Sequence, residues 1–327
     1  MFYSFIIPVY NRPDHIEKLL NCLVSQTYKN FEVLVIESGS TIKSDEVVAT
    51  FADKLNIRYI FKGNDGQGYS RNRGMQEAKG EYFVILDSDI VMPDSYLETV
   101  NESLKENYLD SYGGPDELHP ESTDFQKAVN FCMTSLLTTG GTRGKKSSIG
   151  KYYPRSFNMG VSREVYETTK GFSIPFMGED IEWSQRIIAA GFKTGLIEDA
   201  YVNHERKGTL KGYFNQLHFF GRARINISQL IPGSFKIVHL LPVAYCAYSL
   251  LLIFLFATNT PYKILLFVPF LLYNFFIRFS ASAEHKSLKI GFTAVLLANT
   301  LMLAYCTGML KEFYKLYVLK KKQTYKL

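Results

Sequence analysis

The chain has 327 residues, enough for a large buried core, and 46% of them are hydrophobic. Its net charge of +6 is unevenly spread, because residues 236–327 hold 11 Lys and Arg against two Asp and Glu, whereas residues 1–235 hold 26 against 29. The positive charge therefore accompanies apolar segments rather than a folded basic face, which argues against nucleic acid as a partner.

The first 110 residues alternate apolar runs with helical patterns. Four buried strands are predicted, at residues 4–9, 31–37, 57–61 and 81–87. Between the first two, residues 12–26 place their apolar side chains on one face of a helix. Near-continuous apolar strands separated by helices are typical of a parallel sheet covered on both faces. Ligands bind such sheets at the carboxyl ends of the strands, where Asn11, Glu37, Asp87 and Asp89 lie.

Residues 111–156 lose this alternation and are rich in Gly, Ser, Thr and Lys. We expect them to form a long irregular excursion that covers the crevice. A short strand and helix follow over residues 157–167, and another helix begins near Glu179 and ends at Gly191, since glycine commonly ends helices.

The composition changes from Lys236 onward. Apolar segments occupy residues 237–257, 264–277 and 290–310, and about 20 such residues suffice to cross a bilayer. We expect two spans, with the third segment a span, a re-entrant helix or an in-plane helix. Three spans would place the lysines at 320–322 opposite the N-terminal domain, against the positive-inside tendency. The alternative is a helical domain buried in a soluble protein.

Residues 209–229, which precede the apolar segments, predict an amphipathic helix. Leu210, Phe214, Leu217 and Phe220 recur there at helical spacing. A helix of this kind fits the membrane interface. The alternative is a surface helix that packs on the sheet.

Two pairs of acidic residues carry the chemistry. Asp87 and Asp89 follow the fourth predicted strand, and a turn there can bring both carboxylates toward one ion. Mg²⁺ and Mn²⁺ prefer oxygen ligands and commonly bridge substrate phosphates, so the pair indicates a metal-bound nucleotide diphosphate. The second pair, Glu179 and Asp180, opens a helix, where carboxylates are stabilised as anions.

Five stretches carry a family resemblance, in the family's order. They are SFIIPVYNR, VLVIESGS, GYSRNRGMQEAKGEYFVILDSDIVMP, FNMGVSR and GFSIPFMGEDIEWSQRIIAAGF. Together they resemble the inverting family 2 glycosyltransferases of the GT-A fold, from about Ser4 to Arg224. The resemblance implies an α/β fold with a Rossmann-like, mixed and mainly parallel sheet, followed by an interfacial helix and transmembrane helices.

The resemblance also implies a donor site. Its nucleotide-sugar-binding residues are Pro8, Tyr10, Asn11, Glu37, Arg71, Asn72 and Asp87. Glu37 is the only acid in a stretch that usually begins with an aspartate and often has a second acid or amide, so this contact departs from the family pattern. The implied ligands of Mg²⁺ or Mn²⁺ are Asp87, Asp89 and His204, with a structural role as the alternative for the histidine.

On the acceptor side, the resemblance implies that Asp180 is the general base, with Glu179 as the other member of the catalytic pair. Trp183 and Arg222 are candidates for acceptor contacts, and a place in the core is the alternative for Trp183. Arg222 lies where processive relatives carry a Q-x-x-R-W motif, and the poor match argues against a polymerising synthase.

We therefore expect a membrane-associated glycosyltransferase with a nucleotide-diphosphate donor, a UDP-sugar, and a hydroxyl acceptor on a lipid-linked or cell-surface glycan. The expected domains are a catalytic domain at residues 1–205, an amphipathic segment at 206–235, and a membrane domain with a basic tail at 236–327. No signal peptide is visible, so we expect the catalytic domain on the cytoplasmic side of the inner or plasma membrane.

Rival functions remain open. A polyprenyl-phosphate glycosyltransferase would use an ionised phosphate acceptor that needs no base, so the Glu179–Asp180 pair favours a hydroxyl. A phosphohydrolase of the haloacid dehalogenase type would use Asp87 as its nucleophile. Against it, the motif lies on the fourth strand and no later G-D-x-x-x-D follows. A non-enzymatic membrane scaffold would have no reason to keep both acidic pairs.

Overall fold

The computed structural model describes residues 1–140, 153–258, 261 and 263–321, and these form two compact units. Within the described residues, unit 1 holds residues 1–120 and 153–205, and unit 2 holds residues 121–140 and 206–321. Unit 2 is thus built from two separate parts of the chain. These units are defined by packing, so the functional division at residues 205 and 235 stays a prediction.

Unit 1 is built on a seven-stranded mixed sheet. The described strands are β1 (Tyr3–Val9), β2 (Phe31–Ser38), β3 (Ile57–Lys62), β4 (Tyr82–Leu86), β5 (Ile90–Val91), β6 (Ser111–Gly113), β7 (Asp116–Leu118), β8 (Asn158–Ser162), β9 (Thr194–Leu196) and β10 (Val202–His204). The order is β3-β2-β1-β4-β8-β6-β9, with β8 antiparallel to both of its neighbours and the other pairs parallel. The mixed, mainly parallel sheet expected from the sequence is confirmed.

A second, three-stranded sheet in unit 1 has the order β5-β10-β7. Strand β10 is antiparallel to β5, where His204 pairs with Ile90, and parallel to β7, where Val202 pairs with Asp116. This small sheet therefore brings the end of β10 beside the residues that follow β4.

Helices cover both faces of the main sheet. The described helices are α1 (Pro13–Val24), α2 (Asp45–Ala49), α3 (Gln67–Glu77), α4 (Tyr96–Glu106), α5 (Asp124–Thr134), α6 (Leu136–Thr139), α7 (Arg163–Thr169), α8 (Glu179–Ala189), α9 (Leu210–Leu230), α10 (Leu241–Phe256), α11 (Lys263–His285) and α12 (Leu288–Phe313). Successive residues of β1 alternate between two buried clusters, as the period of a strand requires. One cluster contains α1, α2 and α4, and the other contains α3, α7 and α8.

Residues 111–140 are regular, so the expectation of an irregular excursion was wrong over this part. They contain β6, β7, α5 and α6. Strands of three residues are too short to show an alternating pattern. Helix α5 begins with a capping box between Thr123 and Gln126, a signal that the sequence does contain. Residues 141–152 of the predicted excursion lie outside the described residues.

Unit 2 contains the apolar helices. Three of its helical segments are long and apolar enough to cross a membrane: Ile237–Phe256, Lys263–His285 and Leu288–Val318. Few residues of the first two are buried, 6% and 11% of their most apolar stretches, whereas half of the third is buried, because α12 packs against α5, α9, α10 and α11. How many of the three segments cross a membrane stays a prediction.

Helices α9 and α12 of unit 2 cross at a pair of glycines. A Cβ atom at Gly308 would lie 2.1 Å from the carbonyl oxygen of His218, and one at Gly221 would lie 2.2 Å from that of Tyr305. The two backbones therefore approach as closely as glycine allows. Helix α9 packs on α12 within unit 2, whereas its expected place at a membrane interface stays a prediction.

We expect Gly308→Ala to destabilise the protein by about 1–3 kcal/mol, the usual cost of overpacking. Alanine favours helices over glycine by about 1 kcal/mol, so a loss of stability must come from packing. Thermal unfolding in detergent measures the effect. Gly208→Ala is the matched control, because no atom lies within 4 Å of a Cβ at Gly208. Equal stability of both variants would contradict the close crossing.

Candidate active site

The carboxyl end of β4 carries the first acidic pair. Asp87 follows the strand directly, and Asp89 lies just before β5, so a single turn separates the two carboxylates. Both side chains are half-buried, with 31% of Asp87 and 22% of Asp89 exposed. They are therefore accessible at the edge of the sheet where the sequence predicts a ligand.

Arg71 of α3 joins the two acidic pairs. One terminal nitrogen, Nη2, donates to Asp87 Oδ1 over 2.7 Å, and the other, Nη1, donates to Glu179 Oε1 over 3.0 Å. The structure thus brings together Arg71, Asp87 and Glu179, which were predicted separately for the donor and acceptor halves. No sequence signal could reveal a contact between residues 108 positions apart.

Glu179 is the buried member of its pair. Besides Arg71, Gln67 Nε2 donates to Glu179 Oε1 over 2.5 Å. Burial and the neighbouring Asp180 raise the pKa of Glu179 above its ordinary value, although Arg71 and Gln67 oppose this. Gln67 was missed, yet it precedes Arg71 by four residues on the same helix, and that spacing could have revealed it.

Asp180 is the accessible member, with 18% of its side chain exposed. Its Oδ1 accepts a hydrogen bond of 2.8 Å from the backbone N–H of Ile181, and its Oδ2 lies 3.6 Å from Nη1 of Arg155. Arg155 had not been predicted as part of the site. Asp180 can therefore present an oxygen to a substrate, whereas the oxygens of Glu179 face the protein.

Asp89 and His204 form the candidate metal site. Nε2 of His204 lies 3.1 Å from Asp89 Oδ1, and Nδ1 lies 3.5 Å from Asp116 Oδ1. Burial disfavours the charged imidazole, but Asp89 and Asp116 outweigh it and raise the pKa of His204 to about 10. Asp116 had not been predicted, because the short strand β7 gave no signal.

The donor atoms of this site fit a divalent cation only in part. Among the described residues, no group of three or more His, Cys, Asp or Glu side chains is arranged to hold an ion. Asp89 and His204 nevertheless place one carboxylate oxygen and one imidazole nitrogen 3.1 Å apart, and a cation bound there would displace the proton that the raised pKa keeps on His204. Magnesium sites often use one or two protein carboxylates together with substrate phosphates, so the pair fits as the protein part of such a site. Asp87 already shares Oδ1 with Arg71.

Two predicted nucleotide contacts hold a loop in place through hydrogen bonds within the protein. Glu37 is fully buried; it accepts hydrogen bonds from the hydroxyl of Ser40 and, over 2.9 Å, from the backbone N–H of Ser44. Asn11 Oδ1 accepts from the backbone N–H groups of Thr41 and Ile42, over 2.8 and 2.9 Å. Both side chains therefore fix the loop that follows β2.

The other predicted nucleotide contacts differ in exposure. Tyr10 is 51% exposed and Pro8 is half-buried, so both remain available at the end of β1. Asn72 donates to the carbonyl oxygen of Phe172 and accepts from its N–H group, each over 2.8 Å. Both groups of the Asn72 amide are thus used within the protein.

Both predicted acceptor contacts are engaged within the protein. Trp183 has no exposed surface, packs 4.5 Å from the ring of Phe172 and donates from Nε1 to Thr169 Oγ1, so it occupies the core position that was its alternative. Arg222 belongs to unit 2, where its Nε donates to the buried carboxylate of Glu312 over 2.7 Å.

Comparison with known proteins identifies the family. The family described as Glycosyl transferase family 2 matches residues 4–169, just over half of the chain. Glycosyltransferase AglE of Haloferax volcanii is 28% identical over 210 residues, which are 62% of this chain and 66% of AglE. Glycosyltransferase GlyG of Streptococcus pneumoniae serotype 4 is 29% identical over 139 residues, which are 41% of this chain and 46% of GlyG. The chain thus spans less than two thirds of each of these relatives.

The fold has a counterpart among solved structures. The mannosyltransferase PcManGT of Pyrobaculum calidifontis, in complex with GDP-Man and Mn²⁺, superposes with a TM-score of 0.67 at 17% identity, covering 96% of this chain and 87% of PcManGT. At this identity the likeness concerns the fold. Together with the family match over the strands that carry Asp87 and Asp89, it leads to one conclusion: the chain belongs to glycosyl transferase family 2.

Proposed function

We propose that this protein transfers a sugar from a nucleotide-diphosphate sugar to a hydroxyl group, with inversion at the anomeric carbon. The observation that carries the proposal is the contact of Arg71 with both Asp87 and Glu179. Through it, the acidic pair expected to hold the leaving group and the acidic pair expected to activate the acceptor belong to one site. The family membership supports the reaction class.

Asp180 acts as the general base. An acceptor hydroxyl beside it attacks the anomeric carbon from the face opposite the diphosphate. The new bond forms between the acceptor oxygen and that carbon, the carbon–oxygen bond to the diphosphate breaks with its electron pair, and the hydroxyl proton passes to Asp180. Glu179 does not take this proton, because its side chain is buried, its Oε1 accepts from Arg71 and Gln67, and its Oε2 accepts from the backbone N–H of Gly178.

Asp89 and His204 would hold a divalent cation. When bound, Mg²⁺ or Mn²⁺ would neutralise the charge that develops on the leaving diphosphate. PcManGT, whose fold this chain shares, is in complex with Mn²⁺ and GDP-Man, which supports a metal and a nucleotide-diphosphate donor here too. A UDP-sugar stays our prediction for the donor, and GDP-mannose belongs in the same screen.

We further propose that the protein works at a membrane, on the cytoplasmic side, with a lipid-linked saccharide as acceptor. Helices α10 and α11 support this, because their exposed surface consists largely of big apolar side chains such as Ile253, Phe254 and Ile264. Contiguous exposed apolar surface of this extent is costly in water. A bilayer would cover it and would deliver a lipid-linked substrate.

The proposal is tested with the full-length protein in detergent or nanodiscs. UDP- and GDP-sugars are screened with Mg²⁺ or Mn²⁺, with lipid-linked acceptors that end either in a sugar hydroxyl or in a polyprenyl phosphate. We expect metal-stimulated release of nucleotide diphosphate and a lengthened hydroxyl acceptor. Transfer to the phosphate alone would favour the polyprenyl-phosphate reaction. Hydrolysis of phosphomonoesters without sugar transfer would contradict the proposal.

A further inference from the structure

Arg71 is too deeply buried to touch a donor. Only 1% of its side chain is exposed, and the ring of Phe172 lies 5.4 Å from its Cζ atom. Both terminal nitrogens already donate to carboxylates within the protein. An arginine that contacted a diphosphate would need a surface that faces the crevice. The contact partners of Arg71 are therefore the two acidic pairs themselves.

The rest of α3 is docked on the segment that leads into α8. The N–H group of Gly68 donates to the carbonyl oxygen of Pro175 over 2.8 Å. A Cβ atom at Gly66 would lie 2.3 Å from Pro175 Cβ, and one at Gly68 would lie 2.4 Å from the carbonyl oxygen of Ile174. Two glycines are thus required for this approach. Helix α3 forms a platform that fixes the first turn of α8.

The same platform holds the segment at further points. Asn72 makes its two hydrogen bonds to the backbone of Phe172, and the hydroxyl of Tyr69 donates to the carbonyl oxygen of Ser173 over 3.2 Å. Arg71 and Gln67 then engage Glu179, the first residue of α8. Since Asp180 is the next residue, its position depends on these contacts.

We propose that Arg71 is a positioning residue that sets the distance between the two carboxylate pairs and makes no contact with the donor. This inference rests on the proposed function and replaces the donor contact that the resemblance implied for Arg71. Its guanidinium links Asp87, which follows β4, to Glu179, which begins α8. A rigid fork can hold two carboxylates at fixed positions, whereas an ammonium group is a single point of charge.

Removal of the Arg71 guanidinium should lower sugar transfer more than donor hydrolysis. Without the two hydrogen bonds of the Arg71 guanidinium, we expect the first turn of α8 to shift while the end of β4 and the expected nucleotide-binding residues stay in place. Asp180 then no longer meets the acceptor hydroxyl, and a misplacement of about 1 Å lowers the rate by about 100-fold. Donor hydrolysis by water needs no fixed acceptor and falls less. The ratio of hydrolysis to transfer therefore rises.

The test is Arg71→Lys in the full-length protein, with initial rates of transfer and hydrolysis and the Kd for the nucleotide diphosphate. We expect kcat for transfer to fall by about 100-fold, with the donor KM and the nucleotide Kd within about threefold of wild type. Arg73→Lys is the matched control, because Arg73 lies on the same helix, is 45% exposed and forms an ion pair along α3 with Glu77. A raised donor KM with an unchanged kcat would overturn the proposal.

A second variant keeps the test decisive if Arg71→Lys folds poorly. Glu179→Gln retains the shape of the side chain and leaves the contact between Arg71 and Asp87 in place. The variant weakens the charge-assisted bond between Arg71 and residue 179, so we expect kcat for transfer to fall while the donor KM stays within about threefold of wild type. A raised donor KM with an unchanged kcat in Glu179→Gln would therefore overturn the inference. Absence of any sugar transfer by the wild type would instead overturn the proposed function.

Discussion

An Asp180→Asn protein is expected to lose about 1,000-fold in the rate of sugar transfer while it still binds nucleotide diphosphate like the wild type. Asparagine keeps the shape of aspartate and can still accept the hydrogen bond from Ile181. Its amide cannot take a proton at neutral pH, and general bases contribute about 10²- to 10⁴-fold. Transfer is measured as product formed on the acceptor, and nucleotide binding by calorimetry.

The control for this variant is Asp199→Asn, a change at an exposed aspartate of the same unit that should keep full activity. Transfer by Asp180→Asn at the wild-type rate would remove Asp180 from the reaction. A loss of nucleotide binding in the same variant would place Asp180 on the donor side instead.

The second large effect is expected for Asp89→Ala. Loss of this carboxylate leaves His204 as the single candidate ligand of the pair, so metal-stimulated transfer should fall by about 100- to 1,000-fold, the range found when one preorganised group that stabilises transition-state charge is removed. Titration of Mn²⁺ and Mg²⁺ against the transfer rate measures the effect. The metal concentration for half-maximal activity should also rise.

Asp94→Ala is the matched control, since Asp94 is exposed, lies five residues further along the chain and is not a candidate ligand. An Asp89→Ala protein with the wild-type metal response would exclude Asp89 as a ligand. Removal of all divalent ions with a chelator should lower wild-type transfer to the level of the variant.

The elements with long apolar runs could be predicted from sequence. Strands β1 to β4 were expected at residues 4–9, 31–37, 57–61 and 81–87, and the structure has them within one residue at each end. The helix expected from Glu179 is α8. In contrast, β5, β7 and β10 have two or three residues each, and such strands carry no periodic signal of their own. Their position depends on pairing with distant segments.

The candidate active site, too, could be predicted from the sequence only in part. Asp87, Asp89 and Asp180 could be placed at strand and helix ends, because the hydrophobic pattern locates those ends. The sequence does not show which polar side chains spend their hydrogen bonds on other residues of the protein and so are not available to a ligand. Glu37 and Arg71 have the residue types that bind nucleotides, but burial and internal partners decide how they are used. Such pairings depend on tertiary distances between elements far apart in sequence.

Helix α5 lies within the family 2 sequence but packs in unit 2, which affects both the synthesis of the protein and the design of shortened versions. Its buried face, with Val129, Phe131 and Cys132, is completed by α12, which leaves the ribosome long after it. During synthesis, the apolar face of α5 therefore lacks its α12 partner while β8, β9 and β10 join the sheets of unit 1. For the same reason, we expect a fragment made by one cut after residue 205 or 235 to expose the apolar face of α5. A shortened protein that omits unit 2 should also have residues 121–141 replaced by a short linker. Otherwise α5 would expose the apolar surface that packs against α12.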